Sequence, residues 1–142
     1  MLTVIRGLPD SGKSELGKQI AEAGHDGHTE IFEADEFHMD SVELGGDPIY
    51  NYIPEQGKYA RMWVHGLAAK NIRDGYNTVV TGTYLTMESL TPLVEMAKVF
   101  GVEFKLIECK SSFGKAIHGV PEEVINKMKR QWEEYDPKVL GV

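Results

Sequence analysis

The chain has 142 residues, of which 42% are hydrophobic and 26% charged, and its formal net charge is −7. That size suits one domain with a real core, and no run approaches the ~20 apolar residues of a membrane span. A single cysteine, Cys109, excludes an internal disulfide framework; with a first strand that begins at once and leaves no room for a signal peptide, it points to a cytoplasmic protein.

Leu2 to Arg6 reads as a short buried strand and Glu15 to Ala23 as a helix. Between them runs Gly7-Leu8-Pro9-Asp10-Ser11-Gly12-Lys13-Ser14, which fits the Walker A pattern G-x-x-x-x-G-K-[ST] in the strand-to-helix setting that pattern requires. A polyphosphate needs inward-facing N–H groups, a positive helix end and one reaching cation. Gly7 and Gly12 allow the tight turn, and the helix N-terminus supplies donors and dipole. Lys13 is placed to reach the β- and γ-phosphates, and the Ser14 hydroxyl to bind Mg²⁺. Gly7, Pro9, Asp10, Ser11, Gly12, Lys13, Ser14 and Glu15 are therefore the expected contacts for a nucleoside triphosphate, ATP or GTP. Asp10 is compatible with bound phosphate only if its carboxylate points outward.

Thr29 to Glu33 is a second strand. Asp35 follows it, either as a reactive carboxylate at a strand end or as the N-cap of a helix opening at Glu36. Residues 41–57 form the one long irregular stretch, broken by Gly45-Gly46, Asp47-Pro48 and Pro54; Tyr50 and Tyr52 could stack on a base or sugar, or pin the loop to the core. Glu55 to Arg73 is a helix with Ala60, Trp63, Val64, Leu67, Ala68 and Ile72 on one stripe. Asn77 to Thr81 is a third strand. Glu88 to Phe100 is a helix with Leu90, Leu93, Val94, Ala97 and Phe100 inward, and Val102 to Cys109 is a fourth strand. Pro121 opens a last helix, in which Val124, Ile125, Met128, Trp132 and Tyr135 recur at helical spacing until Asp136-Pro137 closes it. Strands that alternate with helices imply an α/β fold of three layers: a mostly parallel sheet of four to five strands with helices on both faces. No linker divides the chain, so residues 1–142 are read as one domain.

Charge is uneven. Asp26 to Glu55 holds nine carboxylates, and no Lys or Arg stands between Lys18 and Lys58. Such a segment is either a solvated acidic face or a surface that does not welcome a polyanion.

Gly7–Ser14, Phe32-Glu33-Ala34-Asp35-Glu36-Phe37, Val79-Val80-Thr81-Gly82-Thr83 and His118-Gly119-Val120-Pro121 together resemble the P-loop kinases similar to viral polynucleotide kinase. The same blocks resemble AAA-type ATP-binding kinase-like proteins with an H-G-V-P lid motif and, more distantly, zeta-toxin-like kinases. The resemblance implies a P-loop kinase fold from Thr3 to about Tyr135, with a lid at about 111–120. It makes Asp35 the general base that takes the acceptor hydroxyl's proton during in-line attack on the γ-phosphorus. It places Lys115 where the family has a lid arginine, so the charge is kept without the bidentate fork. It places His118 in the lid beside the nucleotide, and His38 and Thr83 toward the acceptor. Thr81 stands where related kinases carry an Asp, which leaves Mg²⁺ to Ser14, waters and the nucleotide phosphates. Three readings follow. One is a kinase of a hydroxyl on a nucleic acid or nucleoside, such as a nucleic-acid end or a modified nucleotide. The second is a kinase of a small neutral or cationic hydroxyl metabolite. The third is a nucleotide-binding switch with degenerate chemistry.

Overall fold

The computed structural model describes residues 1–8, 11–23, 29–33, 39–40, 49–50, 57–109 and 122–141. Among the described residues eleven elements follow in order: β1 (Leu2–Gly7), α1 (Lys13–Ala23), β2 (Thr29–Glu33), β3 (Met39–Asp40), β4 (Ile49–Tyr50), α2 (Gly57–Arg73), β5 (Asn77–Gly82), α3 (Met87–Phe100), β6 (Phe104–Cys109), α4 (Glu122–Gln131) and α5 (Pro137–Leu140). Four strands form one parallel sheet in the order β2-β5-β1-β6, while β3 and β4 pair antiparallel as a separate two-stranded sheet. The fold is α/β, a parallel sheet with helices packed on it.

The period-2 alternation of β1 divides the molecule into layers. Leu2 and Val4, with Val80 of β5, enter a core built with Val64, Ala68 and Ile72 of α2 and Leu90, Leu93, Val94 and Ala97 of α3. Residues of the opposite parity meet α1. A methyl added to Gly17 would lie 3.4 Å from Thr81 Cγ2 and 3.8 Å from Ile5 Cδ1, so α1 rides close on the sheet at that glycine. The central strand β1 is buried at every position, as a strand covered on both faces must be.

Local chemistry sets the boundaries. Thr86 caps α3 by accepting from Ser89 N at 3.2 Å, and Gly101, in the left-handed region at φ 65°, ends it. Three details depart from the sequence pattern. Trp63, expected on the inward stripe of α2, is 43% exposed, and Phe100 ends α3 at the surface. The last helix stops at Gln131 instead of running to Tyr135, and Asp136 caps the separate short helix α5 by accepting from Lys138 N at 3.0 Å.

Candidate functional site

β1 delivers the chain to the carboxyl edge of the sheet, and α1 carries it away again. Ligands of open α/β sheets lie at this edge. Gly7 is the last residue of β1 and pairs with Cys109 of β6. Its missing side chain is a geometric necessity: a methyl there would stand 2.4 Å from Ser11 Oγ and 2.6 Å from the Cys109 carbonyl oxygen. Gly12 has φ 89°, in the left-handed region that glycine adopts without strain, and it turns the chain into α1. Leu16 N then donates to Gly12 O at 3.0 Å, the first rung of the helix.

Lys13 is buried, and its Nζ donates to the carbonyl oxygens of Gly7 and Leu8, each at 2.9 Å. The ammonium therefore lies inside the curve of its own loop. Ser11 is also buried, and its Oγ makes no hydrogen bond among the described residues. Ser14 and Glu15 are exposed on the first turn of α1. A loop with a buried ammonium, an unsatisfied hydroxyl and a helix N-terminus fits a polyphosphate. No group of three or more His, Cys, Asp or Glu able to hold a metal is found among the described residues. Mg²⁺ held by one hydroxyl, waters and substrate phosphates needs no such group.

The neighbouring strands complete the edge. Thr81 pairs with Ile5, is buried, and faces α1. Thr83 follows β5 at the same edge and is half-buried. Burial pushes the Cys109 thiol up from its ordinary value, with the Lys13 charge acting in the opposite sense, which disfavours the thiolate beside the loop. β2 pairs with β5 as far as Glu33↔Thr81, so the chain leaves β2 at the carboxyl edge two residues before Asp35. Asp35 itself, with Pro9, Asp10, His38, Tyr52, Lys115, His118 and the expected lid at 111–120, lies outside the described residues. Tyr50 is placed only by its backbone, in β4 opposite Met39.

Sequence reasoning missed a pair next to Thr83, the buried Tyr84 and the half-buried His65. Tyr84 has φ 36°, an uncommon conformation for a residue with a side chain, and its ring folds back over Gly82. A methyl at Gly82 would sit 2.6 Å from the Tyr84 ring. The Tyr84 hydroxyl and His65 Nε2 of α2 are 3.0 Å apart, and the two rings stack with centroids 5.9 Å apart. Burial, with Arg61 nearby, pushes His65 down to about 4, so the imidazole is neutral at neutral pH. The one available signal was a glycine two residues before a bulky aromatic at a strand end.

The family model described as an AAA domain matches residues 2–135. The chain belongs to that family. Its fold is similar to that of a sugar kinase from Janibacter sp. HTCC2649, with a TM-score of 0.67 at 19% identity over 96% of this chain and 79% of that one. A gluconokinase from Sinorhizobium meliloti 1021 aligns at TM-score 0.60 and 19% identity, over 96% of this chain and 75% of that one. A chain of the Pnkp1/Rnl/Hen1 complex aligns at TM-score 0.57 and 16% identity; it covers 89% of this AAA-family domain, which spans only 38% of that longer chain. At these identities the likeness is one of fold.

Proposed function

We propose that the protein is an ATP-dependent phosphotransferase that moves the γ-phosphoryl group to a hydroxyl acceptor. The observation that carries the reading is the loop at the end of β1, where Lys13, Ser11 and the start of α1 face the curve that a triphosphate would fill. Gly7, Pro9, Asp10, Ser11, Gly12, Lys13, Ser14 and Glu15 would contact the nucleotide. Lys13 would neutralise charge on the β- and γ-phosphates as it builds, and Ser14 would hold Mg²⁺, which would supply further neutralisation of phosphate charge. Asp35, two residues past β2, would accept the acceptor's proton. Thr83 would serve the acceptor side from the end of the neighbouring strand; the family resemblance adds His38, and the sequence of residues 41–57 adds Tyr50 and Tyr52 as stacking partners for a base or sugar. Lys115 and His118 would close on the phosphates from the lid segment.

For the acceptor, the order of the four motif blocks supports a hydroxyl of a nucleoside or a nucleic-acid end. The nine carboxylates from Asp26 to Glu55 favour a second reading, a small neutral or cationic alcohol. Folds shared with a gluconokinase and a sugar kinase are compatible with it. A screen with γ-labelled ATP against 5′-hydroxyl DNA and RNA, nucleosides, polyols and amino alcohols tests the proposal. Label transfer to any hydroxyl supports a kinase, and its identity selects the acceptor. ATP binding without transfer to any acceptor would replace the kinase with a nucleotide-binding switch.

A further inference from the structure

Arg6 is the residue directly before the phosphate loop, and it projects on the sheet face opposite α1, in line with Leu2 and Val4. Its side chain is wholly buried. The guanidinium lies 3.8 Å from the centre of the Trp132 ring, a cation–π contact. Nη2 donates to the carbonyl oxygens of Glu133 at 2.6 Å and Leu85 at 3.3 Å, and Nη1 stands 3.8 Å from the Glu108 carboxylate. One side chain thus touches the end of β6, the β5–α3 connection and the segment after α4. The last two are also tied to each other: Glu133 N donates to Leu85 O at 2.8 Å, and the Glu133 carboxylate accepts from Met87 N at 2.8 Å.

As packing alone, this is a costly choice. Arg6 Nε and Nη1 and Glu108 Oε2 make no hydrogen bond among the described residues. Desolvating a guanidinium is expensive, and well-packed apolar residues of similar volume commonly serve a core as well or better. The position supplies a reason for the charge. The next residue, Gly7, carries a carbonyl that holds Lys13 Nζ, and it packs so closely on Cys109 that an added methyl would stand 2.6 Å from the Cys109 carbonyl oxygen. We propose that Arg6 is a positioning residue for nucleotide binding: it pins the surrounding edge segments to the strand end from which the phosphate loop departs, and so holds the loop in its triphosphate-ready shape. The inference rests on the reading that this loop binds a nucleoside triphosphate, and it assigns part of the affinity to preorganisation.

The test is calorimetric titration of Mg·ATP into wild type, Arg6→Met and Arg6→Lys, well below each variant's unfolding temperature. A purely structural role would lower the thermal midpoint without moving the affinity of the folded protein. The expected result is a Kd raised about tenfold in Arg6→Met and about threefold in Arg6→Lys, which keeps a charge but not the fork. In a Trp63→Phe background, Trp132 is the sole tryptophan, and its emission should change when the cation above it is removed. Folded Arg6→Met with wild-type Kd overturns the proposal while leaving nucleotide binding intact. If wild type gives no binding heat with Mg·ATP or Mg·GTP, the nucleotide reading fails and takes this inference with it. Should Arg6→Met not fold, Trp132→Leu and Glu108→Gln each remove one anchor; a Kd raised about threefold in either supports the proposal, and unchanged Kd in both overturns it.

Discussion

Replacing Gly7 by alanine tests whether the phosphate loop is as tightly built as its geometry indicates. The new methyl would meet Ser11 Oγ at 2.4 Å, the Cys109 carbonyl oxygen at 2.6 Å and Cys109 Cβ at 3.1 Å. Ser11 Oγ can rotate aside. The Cys109 carbonyl cannot, because β6 is paired with β1 along its whole length, from Leu2↔Phe104 to Gly7↔Cys109. Relief therefore requires parting the two strands at their last pair or moving the loop. Overpacking of this kind costs about 1–3 kcal/mol. For a chain of this size, each kcal/mol lowers Tm by about 3–5 °C. The displacement also moves the Gly7 carbonyl that holds Lys13 Nζ. Urea denaturation gives the stability loss, and calorimetric titration of Mg·ATP gives the affinity loss, expected at about tenfold or more. A Gly7→Ala protein within about 0.5 kcal/mol of wild type and with full ATP affinity would refute the reasoning.

Three further outcomes are expected. If Asp35 is the general base, Asp35→Asn keeps ATP binding and loses phosphoryl transfer by about 10²–10⁴-fold in a single-turnover assay; equal transfer would leave Asp35 as a helix cap. Because the folded His65 pKa, about 4, is below its unfolded value, the unfolded chain binds the proton first, and stability falls as pH drops through the window from about 6.5 to 4. At pH 5 the loss is about 2 kcal/mol before discounting for partial solvent access and about 1 kcal/mol after it, and His65→Gln should flatten that part of the pH–stability curve measured by urea titration. Duplex DNA should bind weakly, with a shallow slope of log K against log salt, since the chain between Lys18 and Lys58 offers no cation; tight binding with a steep slope would reveal a basic groove that the linear sequence hides.

The sheet was legible because each of its strands is a short segment with an apolar centre, flanked by helical periodicity or turn residues. β2 begins and ends where the pattern placed it, and β1, β5 and β6 agree to within two residues. The Walker A loop was legible because its chemistry is local: spacing alone sets Gly7, Gly12 and Lys13 around one turn. What was hidden depends on contacts between distant segments. Helical spacing continues from Met128 through Trp132 to Tyr135, yet the chain leaves the helix at Gln131, where the Trp132 ring meets Arg6 and Glu133 caps α3. Periodicity cannot register that competition. An arginine within an otherwise apolar strand was the visible trace of it. Trp63 shows the same limit from the other side, since a helical stripe gives direction but not the edge of the buried zone. β3 and β4, two residues each, are too short to leave any pattern.

The central claim is that the loop from Gly7 to Ser14 binds a nucleoside triphosphate through Lys13. Calorimetric titration of Mg·ATP and Mg·GTP into wild type and Lys13→Met, with circular dichroism to confirm that both are folded, measures it directly. Saturable one-site binding is expected in wild type with at least one of the two nucleotides, and a loss of about tenfold or more in the variant, since a charge-assisted bond to phosphate is removed. Equal affinity in a folded Lys13→Met protein would show that Lys13 does not hold the nucleotide, and the absence of binding heat for both nucleotides in wild type would show that the loop is not a nucleotide site.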